Sequence, residues 1–423
     1  MWSFIINTSN FKYLLILNIY LLSIYSIFQG IYDRWIYFGG YADPTYGNYI
    51  LIAVSVIFSN LIFFYSLKLK QDTCRFILLF LSIITFIPVL ISNSIQKDFS
   101  MHVLFGTVLF FIFTLIGCFI LRKVKFEATS AFPKTLFIFI SAVCISITLI
   151  FFEIHSFRDV ISDIYGARQN MRETVPFFQA DRIYGFATRF GLIFMICYGV
   201  VYRRYMMVTC GMIATLALFL IAGHKSIIVL SMVALTLSFL ITKNISPNII
   251  IYRILLTIIS IIFVEEFLEY YVITDFLIRR VIVLPSNLTY FYFEAFITDP
   301  NIFRSNFIER GSIPFHIASE YFNREEMRAN SSILSSSVVS LGYFSLIFTA
   351  LTFGMLLQLA HKIIESIRQT KTKLLMTAII YCYAWSLTES ALSIVLFTHG
   401  LFLFFLPFIF NSFFKANNVG EKI

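Results

Sequence analysis

A chain of 423 residues that is 59% hydrophobic and only 13% charged, with a mean hydropathy of +0.85, carries more apolar surface than a water-soluble domain can hide. These figures exclude a soluble enzyme or binding module and leave a polytopic membrane protein. The formal charge of +9 does not argue for a nucleic-acid partner, because the lysines and arginines flank apolar runs, where they act as topology signals.

An apolar run of about twenty residues crosses about 30 Å of hydrocarbon at about 1.5 Å per residue. Twelve such runs are expected, at 13–29, 49–67, 76–95, 102–121, 135–153, 184–202, 205–222, 226–242, 253–271, 337–360, 374–391 and 394–414. Lys12 precedes the first, and no small-residue cleavage site follows it, so a retained helix is predicted rather than a signal peptide. If the first connection faces outward, the inner connections and both termini hold 18 basic against four acidic residues, and the outer side is net acidic. The positive-inside rule then places both termini in the cytoplasm. The fold expected is all-α, a single integral membrane domain over 1–423, with external connections at about 30–48, 154–183 and 272–336. The last is the longest, lying between the ninth and tenth runs. Six cysteines without a CxxC pair support neither a disulfide framework nor a zinc site.

The chain has no GxxxxGK[ST] loop, no GxGxxG opening a helix after a strand, no HExxH, no GxSxG elbow and no DxD pair. ATP-driven and metal-bound nucleotide-sugar chemistries therefore have no visible site, and neither a metal nor a cofactor is expected. Arginine is what remains. Its planar fork suits phosphate, diphosphate or acidic sugars, and Arg279 and Arg280 follow the ninth run closely enough to lie at the membrane surface. Arg280 suits a headgroup anchor equally well. Arg168 and Arg172 would share a face if their segment were helical, and a solvated, salt-bridged loop helix explains the pair equally well. Arg189 falls about two turns below the outer surface, where a charge facing lipid costs roughly 2.5 to 3.5 kcal/mol, so it should face the bundle interior, with Arg182 one heptad earlier on a similar face.

The turn AGHKS at 222–226 puts His224 and Lys225 on a tight hairpin, where Lys225 either snorkels or meets a phosphate. Glu265 and Glu269, four apart, would repel one another unless relieved, and pairing with nearby arginines is the expected relief. Glu294, His316 and Glu320 are the outer groups available as a general base, though each also reads as an ordinary surface residue.

With its dozen spans, two long outer connections, GHKS at 223–226, LIRRVIVLPSNLTYFYFEAF at 277–296, and ANSS followed by SLGYFSL within 329–346, the chain resembles bacterial O-antigen or oligosaccharide repeat-unit polymerases, the Wzy family. The resemblance is one of layout over the whole chain and of motif within 223–226 and 277–342. It implies a metal-independent glycosyltransferase of the bacterial inner membrane that moves a growing glycan from undecaprenyl pyrophosphate to the next lipid-linked repeat on the periplasmic face. The partners implied are the undecaprenyl-pyrophosphate-linked oligosaccharide, membrane lipid and a chain-length regulator protein. In that picture Arg279, Arg280, Glu294 and His316 serve catalysis, and Lys225, Arg189, Arg168, Arg172 and Asn330 contact substrate. An O-antigen ligase and a lipid-linked oligosaccharide flippase are the alternatives.

Overall fold

The computed structural model of the chain describes residues 8–35, 49–96, 99–124, 133–162, 180–298, 312–323, 329, 332–339 and 341–408. Arg168, Arg172 and Asn330 lie outside them, as do residues 36–48 and 163–179 of the expected external connections. Among the described residues every regular element is helical. Ten helices among the described residues are long and apolar enough to cross a membrane: Phe11–Gly30, Tyr49–Leu67, Asp72–Ile95, Met101–Lys123, Lys134–Phe151, Arg182–Val201, Tyr205–Ala222, Lys225–Thr242, Pro247–Leu268 and Tyr343–Ser366. The other two expected runs take different forms. Residues 374–391 fall largely in the helix Thr370–Glu389, while 394–414 begins with a wide turn and breaks at Gly400, whose φ of +78° suits a residue without a Cβ.

The chain sorts into two compact units, the first made of Met1–Arg122, Pro247–Gln358 and Leu387–Leu392, the second of Lys123–Ser246, Leu359–Ser386 and Ser393–Ile423.

Unit 1 is organised around the helix Asp72–Ile95, in which every residue from Phe76 onward is buried. A run such as FILLFLSIITFIPVLIS has no polar face to offer solvent, so a central position is the arrangement that satisfies it. Two polar groups near its end bond elsewhere in the unit. Asn93 closes the turn that follows, donating to the Ser100 carbonyl (2.9 Å) and accepting from the Ser100 N–H (3.0 Å). Ser92 donates to Asn287 Oδ1 (2.7 Å).

That second bond ties the central helix to the stretch read from the sequence as the start of the longest external connection. Residues 272–298 are continuously helical, and residues 286–293 are all buried. Phe293 also packs against Gly106 so closely that a Cβ there would fall 2.3 Å from its ring. Gly117 and Gly354 bring two further helices of this unit into backbone contact: a Cβ on Gly117 would lie 2.3 Å from the Leu351 carbonyl oxygen, and one on Gly354 would lie 2.1 Å from that of Thr114. Small residues at such crossings let membrane helices approach and gain dispersion contacts.

Four helical stretches among the described residues are wound wide, with hydrogen bonds that reach back five residues: 82–86, 187–191, 274–283 and 394–398. Two of them have a local cause. Pro88 and Pro285 stand just beyond the first and third, and a residue lacking an N–H and carrying a ring forces the ladder before it to shift register. Tyr20 exploits the first of these turns, donating its hydroxyl to the Ile83 carbonyl (2.5 Å). The turns at 187–191 and 394–398 have no proline beside them.

Unit 2 is threaded by an aromatic ladder on the helix that ends at Val201. Phe186, Phe190, Phe194, Tyr198 and Tyr202 recur every four residues, and their rings stack in sequence with centroids 4.7, 6.3, 5.8 and 4.6 Å apart. Phe404 joins the stack against Phe190 at 4.9 Å. At the ladder's foot, Tyr202 hydrogen-bonds Thr372 (3.0 Å), and the Lys134 ammonium lies 4.6 Å from its ring centre while donating to Gln369 (2.9 Å). Cation–π contact and hydrogen bonds thus join the ends of three helices.

Candidate functional site

Arg279 lies in the wide turn 274–283 of unit 1 and is 8% exposed, whereas Arg280 is exposed. Its Nε donates to the Asp275 carbonyl one turn earlier (3.3 Å). The helix that carries it has an unusual start. The Pro247–Leu268 helix ends in a left-handed Glu269 (φ +52°), the chain reverses, and the Glu265 carboxylate accepts the N–H groups of Ile273 (2.5 Å) and Thr274 (2.7 Å). Glu265 is therefore committed to backbone donors of the next helix, not to the arginine pairing expected from its spacing. Glu269 has left the helical face on which the two carboxylates would have met.

A carboxylate that takes two terminal N–H groups contributes charge-assisted bonds and complements the helix dipole. Glu265→Gln keeps the size but offers one acceptor oxygen and no charge. It is expected to lower stability by about 1 to 2 kcal/mol, read from thermal unfolding of the purified protein in detergent.

Glu294 lies fifteen residues beyond Arg279 on the same helix, a separation of about 20 Å. One bond-making centre cannot use both. At this far end the Ser312–Phe322 helix packs against the 284–298 segment, with the Phe291 and Tyr321 rings stacked at 4.3 Å and Phe322 edge-on to Phe291 at 5.9 Å. His316 Nε2 lies 2.8 Å from a Glu320 carboxylate oxygen, one helical turn apart and both substantially exposed. Burial, then the nearby Glu320 and Glu294 carboxylates, pushes the Tyr321 phenol up to about 12, so it keeps its proton at neutral pH. The structure thus brings Glu294, Tyr321, His316 and Glu320 together as one polar cluster rimmed by aromatic rings.

In unit 2, Arg189 occupies the wide turn 187–191, half-buried as its depth in the sequence suggested. Arg182 is exposed, so the two do not share a face. A shared face one heptad apart requires a regular helix, and the wide turn at 187–191 changes the register. Thr188 binds the Tyr184 and Gly185 carbonyls (2.9 and 3.1 Å), occupying acceptors where the ladder shifts.

Arg189 Nη2 donates to Ser226 Oγ at 3.2 Å. Ser226 is the second residue of the Lys225–Thr242 helix, entered through Gly223 (φ +61°) and His224, so the tight hairpin read from GHKS is present and Lys225 is exposed at its mouth. The 398–400 segment abuts the arginine's helix: Thr398 faces Gly185, and Gly400 sits against the Phe186 and Phe190 rings so tightly that a Cβ would fall 2.8 Å from Phe186. This carries His399 to the neighbourhood of Arg189, whose charge acts on both His399 and Tyr383. Tyr383 donates to the His399 carbonyl (2.6 Å), and the His399 N–H reaches back to Ile394 (2.9 Å), so the turn bearing the imidazole is held at both ends.

Sequence reasoning singled out neither His399 nor Tyr383, because a histidine inside an apolar run has no periodic partner to mark it. Both wide turns lack a neighbouring proline, and wide turns without a local cause are frequent at functional sites. Family models, curated proteins and solved structures were each compared with the chain, and none matches it.

Proposed function

We propose that the chain is a glycan polymerase of the bacterial inner membrane, working on its periplasmic face with both termini in the cytoplasm. The observation that carries the reading is the placement of Arg279. A guanidinium 8% exposed stands on a helix whose start is fixed by Glu265, in a chain whose ten apolar helices fit a multi-pass membrane protein. A fixed, partly desolvated fork of donors suits the diphosphate of a polyprenyl-linked sugar. In the transfer, the bond between the sugar's C1 and the diphosphate oxygen breaks with its electron pair going to oxygen. The acceptor sugar's hydroxyl oxygen forms the new bond to C1 and releases its proton to a base. Arg279 stabilises the charge that develops on the departing diphosphate, and exposed Arg280 anchors it at the headgroup level.

The distance along the helix supports a different role for the far cluster. Glu294, Tyr321, His316 and Glu320 contact the glycan further from the lipid, about 20 Å from the diphosphate. Aromatic faces beside carboxylates suit the alternating apolar and hydroxyl-bearing surfaces of sugars. That reach matches an oligosaccharide better than a single sugar, and supports a polymerase over a monosaccharide transferase.

The test is a gel of surface polysaccharide from a strain lacking the gene. Single repeats capping the lipid core are expected. Long chains left on undecaprenyl instead identify a ligase, and loss of all repeats with precursor retained inside identifies a flippase.

A further inference from the structure

The cluster in unit 2 has a character that the unit 1 site lacks. At the start of the helix bearing Arg279, the terminal N–H groups are already taken by a carboxylate, Glu265. At the start of the Lys225–Thr242 helix a guanidinium, from Arg189, reaches the first turn at Ser226, and Lys225 is its first residue. A helix N-terminus carries the positive end of the backbone dipole, so two cations placed there add to the same sign of potential. The mean preference at that end is for an anion.

A second observation points the same way. His399 is 7% exposed, and its Nδ1 finds no hydrogen-bond partner among the described residues. A buried ring nitrogen without a partner costs free energy, and such groups call for a ligand. Its backbone is fixed through Tyr383 and Ile394, and its segment packs on the face of the helix that carries Arg189. Both this turn and that of Arg189 are wide turns with no proline to explain them.

We infer that Arg189, Ser226 with the first turn of its helix, and His399 form an oxyanion-binding site within unit 2. Ser226 and Arg189 donate from the helix start, and the Nδ1–H tautomer of His399 donates from the opposing turn. The chemistry shared by its possible ligands is a compact group of negatively charged oxygens, supplied either by a phosphate or diphosphate or by the carboxylate of an acidic sugar. The site stands on its own geometry; only its identification with a lipid diphosphate rests on the polymerase reading.

The experiment uses the full chain in lipid nanodiscs, in an Arg279→Ala background so that the unit 1 guanidinium does not contribute. Binding of inorganic pyrophosphate and of glucuronate is measured by calorimetry, with thermal unfolding run alongside to show that each variant is folded. Saturable binding of one probe is expected, weakened tenfold or more by Ser226→Ala and by His399→Gln, and largely kept by His399→Asn, whose amide sits near the Nδ1 position. Pyrophosphate as the preferred probe identifies a phosphate-type ligand, and glucuronate an acidic sugar. Binding of neither probe, or binding indifferent to both Ser226→Ala and His399→Gln, overturns the site. A normal polysaccharide ladder in the gene-deletion strain would instead refute the polymerase reading and leave the site standing, so the two failures are separable.

Discussion

Arg279→Ala is expected to erase the long-chain polysaccharide ladder and leave single repeats, with the protein still inserted at its usual level. Removing one fixed donor from a developing oxyanion typically costs about 10² to 10³ in rate. A polymer needs many successive transfers, so a loss of that size in each is amplified in chain length. Arg279→Lys keeps the charge and loses the planar fork, and should give short chains at reduced yield.

A purely structural role makes a different prediction. The guanidinium also binds the Asp275 carbonyl, and if holding that turn were its whole task, the thermal midpoint of both variants would fall and lysine would not restore the ladder. The gel and the melting curve together decide. A normal ladder from Arg279→Ala removes the residue from the mechanism, and Arg280→Ala, at an exposed position, is expected to change the ladder far less.

The largest effect on folding is expected at Gly354. A Cβ there would stand 2.1 Å from the Thr114 carbonyl oxygen and 2.9 Å from the Gly117 Cα, and these are backbone atoms that cannot swing aside. Leucine must therefore push two helices of unit 1 apart along their crossing. A loss of at least about 3 kcal/mol is expected, seen as a lower unfolding midpoint in detergent or as failure to accumulate. Gly185→Ala is the control. Its Cβ would make ordinary contact with Thr398 at 3.6 Å, and alanine favours a helix by about 1 kcal/mol over glycine, so no loss should follow. Equal damage from the two substitutions would discredit the close-approach argument.

How much of this was written in the sequence depends on the kind of signal. The ten apolar helices were legible because each is a run of sufficient length set off by turns and cations, and the GHKS hairpin because Gly223 marks a turn at a helix end. Residues 274–298 were not read as a packed helix. Two arginines, a proline and the polar Ser286–Asn287 pair look like an interruption until Ser92, 195 positions away, supplies the partner that buries Asn287. Glu265 misled for a similar reason: spacing along one helix cannot show that the chain reverses and presents two N–H groups to the carboxylate. Arg189 was found because the cost of a charge at that depth is large enough to act as a signal by itself. The residues around it come from three distant parts of the chain, and no local pattern connects Ser226 or His399 to it.

The wide turn at 187–191 has one more consequence. Each residue added to a helix rotates everything beyond it by about 100°. The direction of the guanidinium relative to the stacked rings further along is thus set by how many residues the turn contains, more than by which they are. Trimming a single residue from it would let the segment relax into ordinary winding and swing Arg189 away from Ser226, so this part of the chain should tolerate substitution far better than any change in its length.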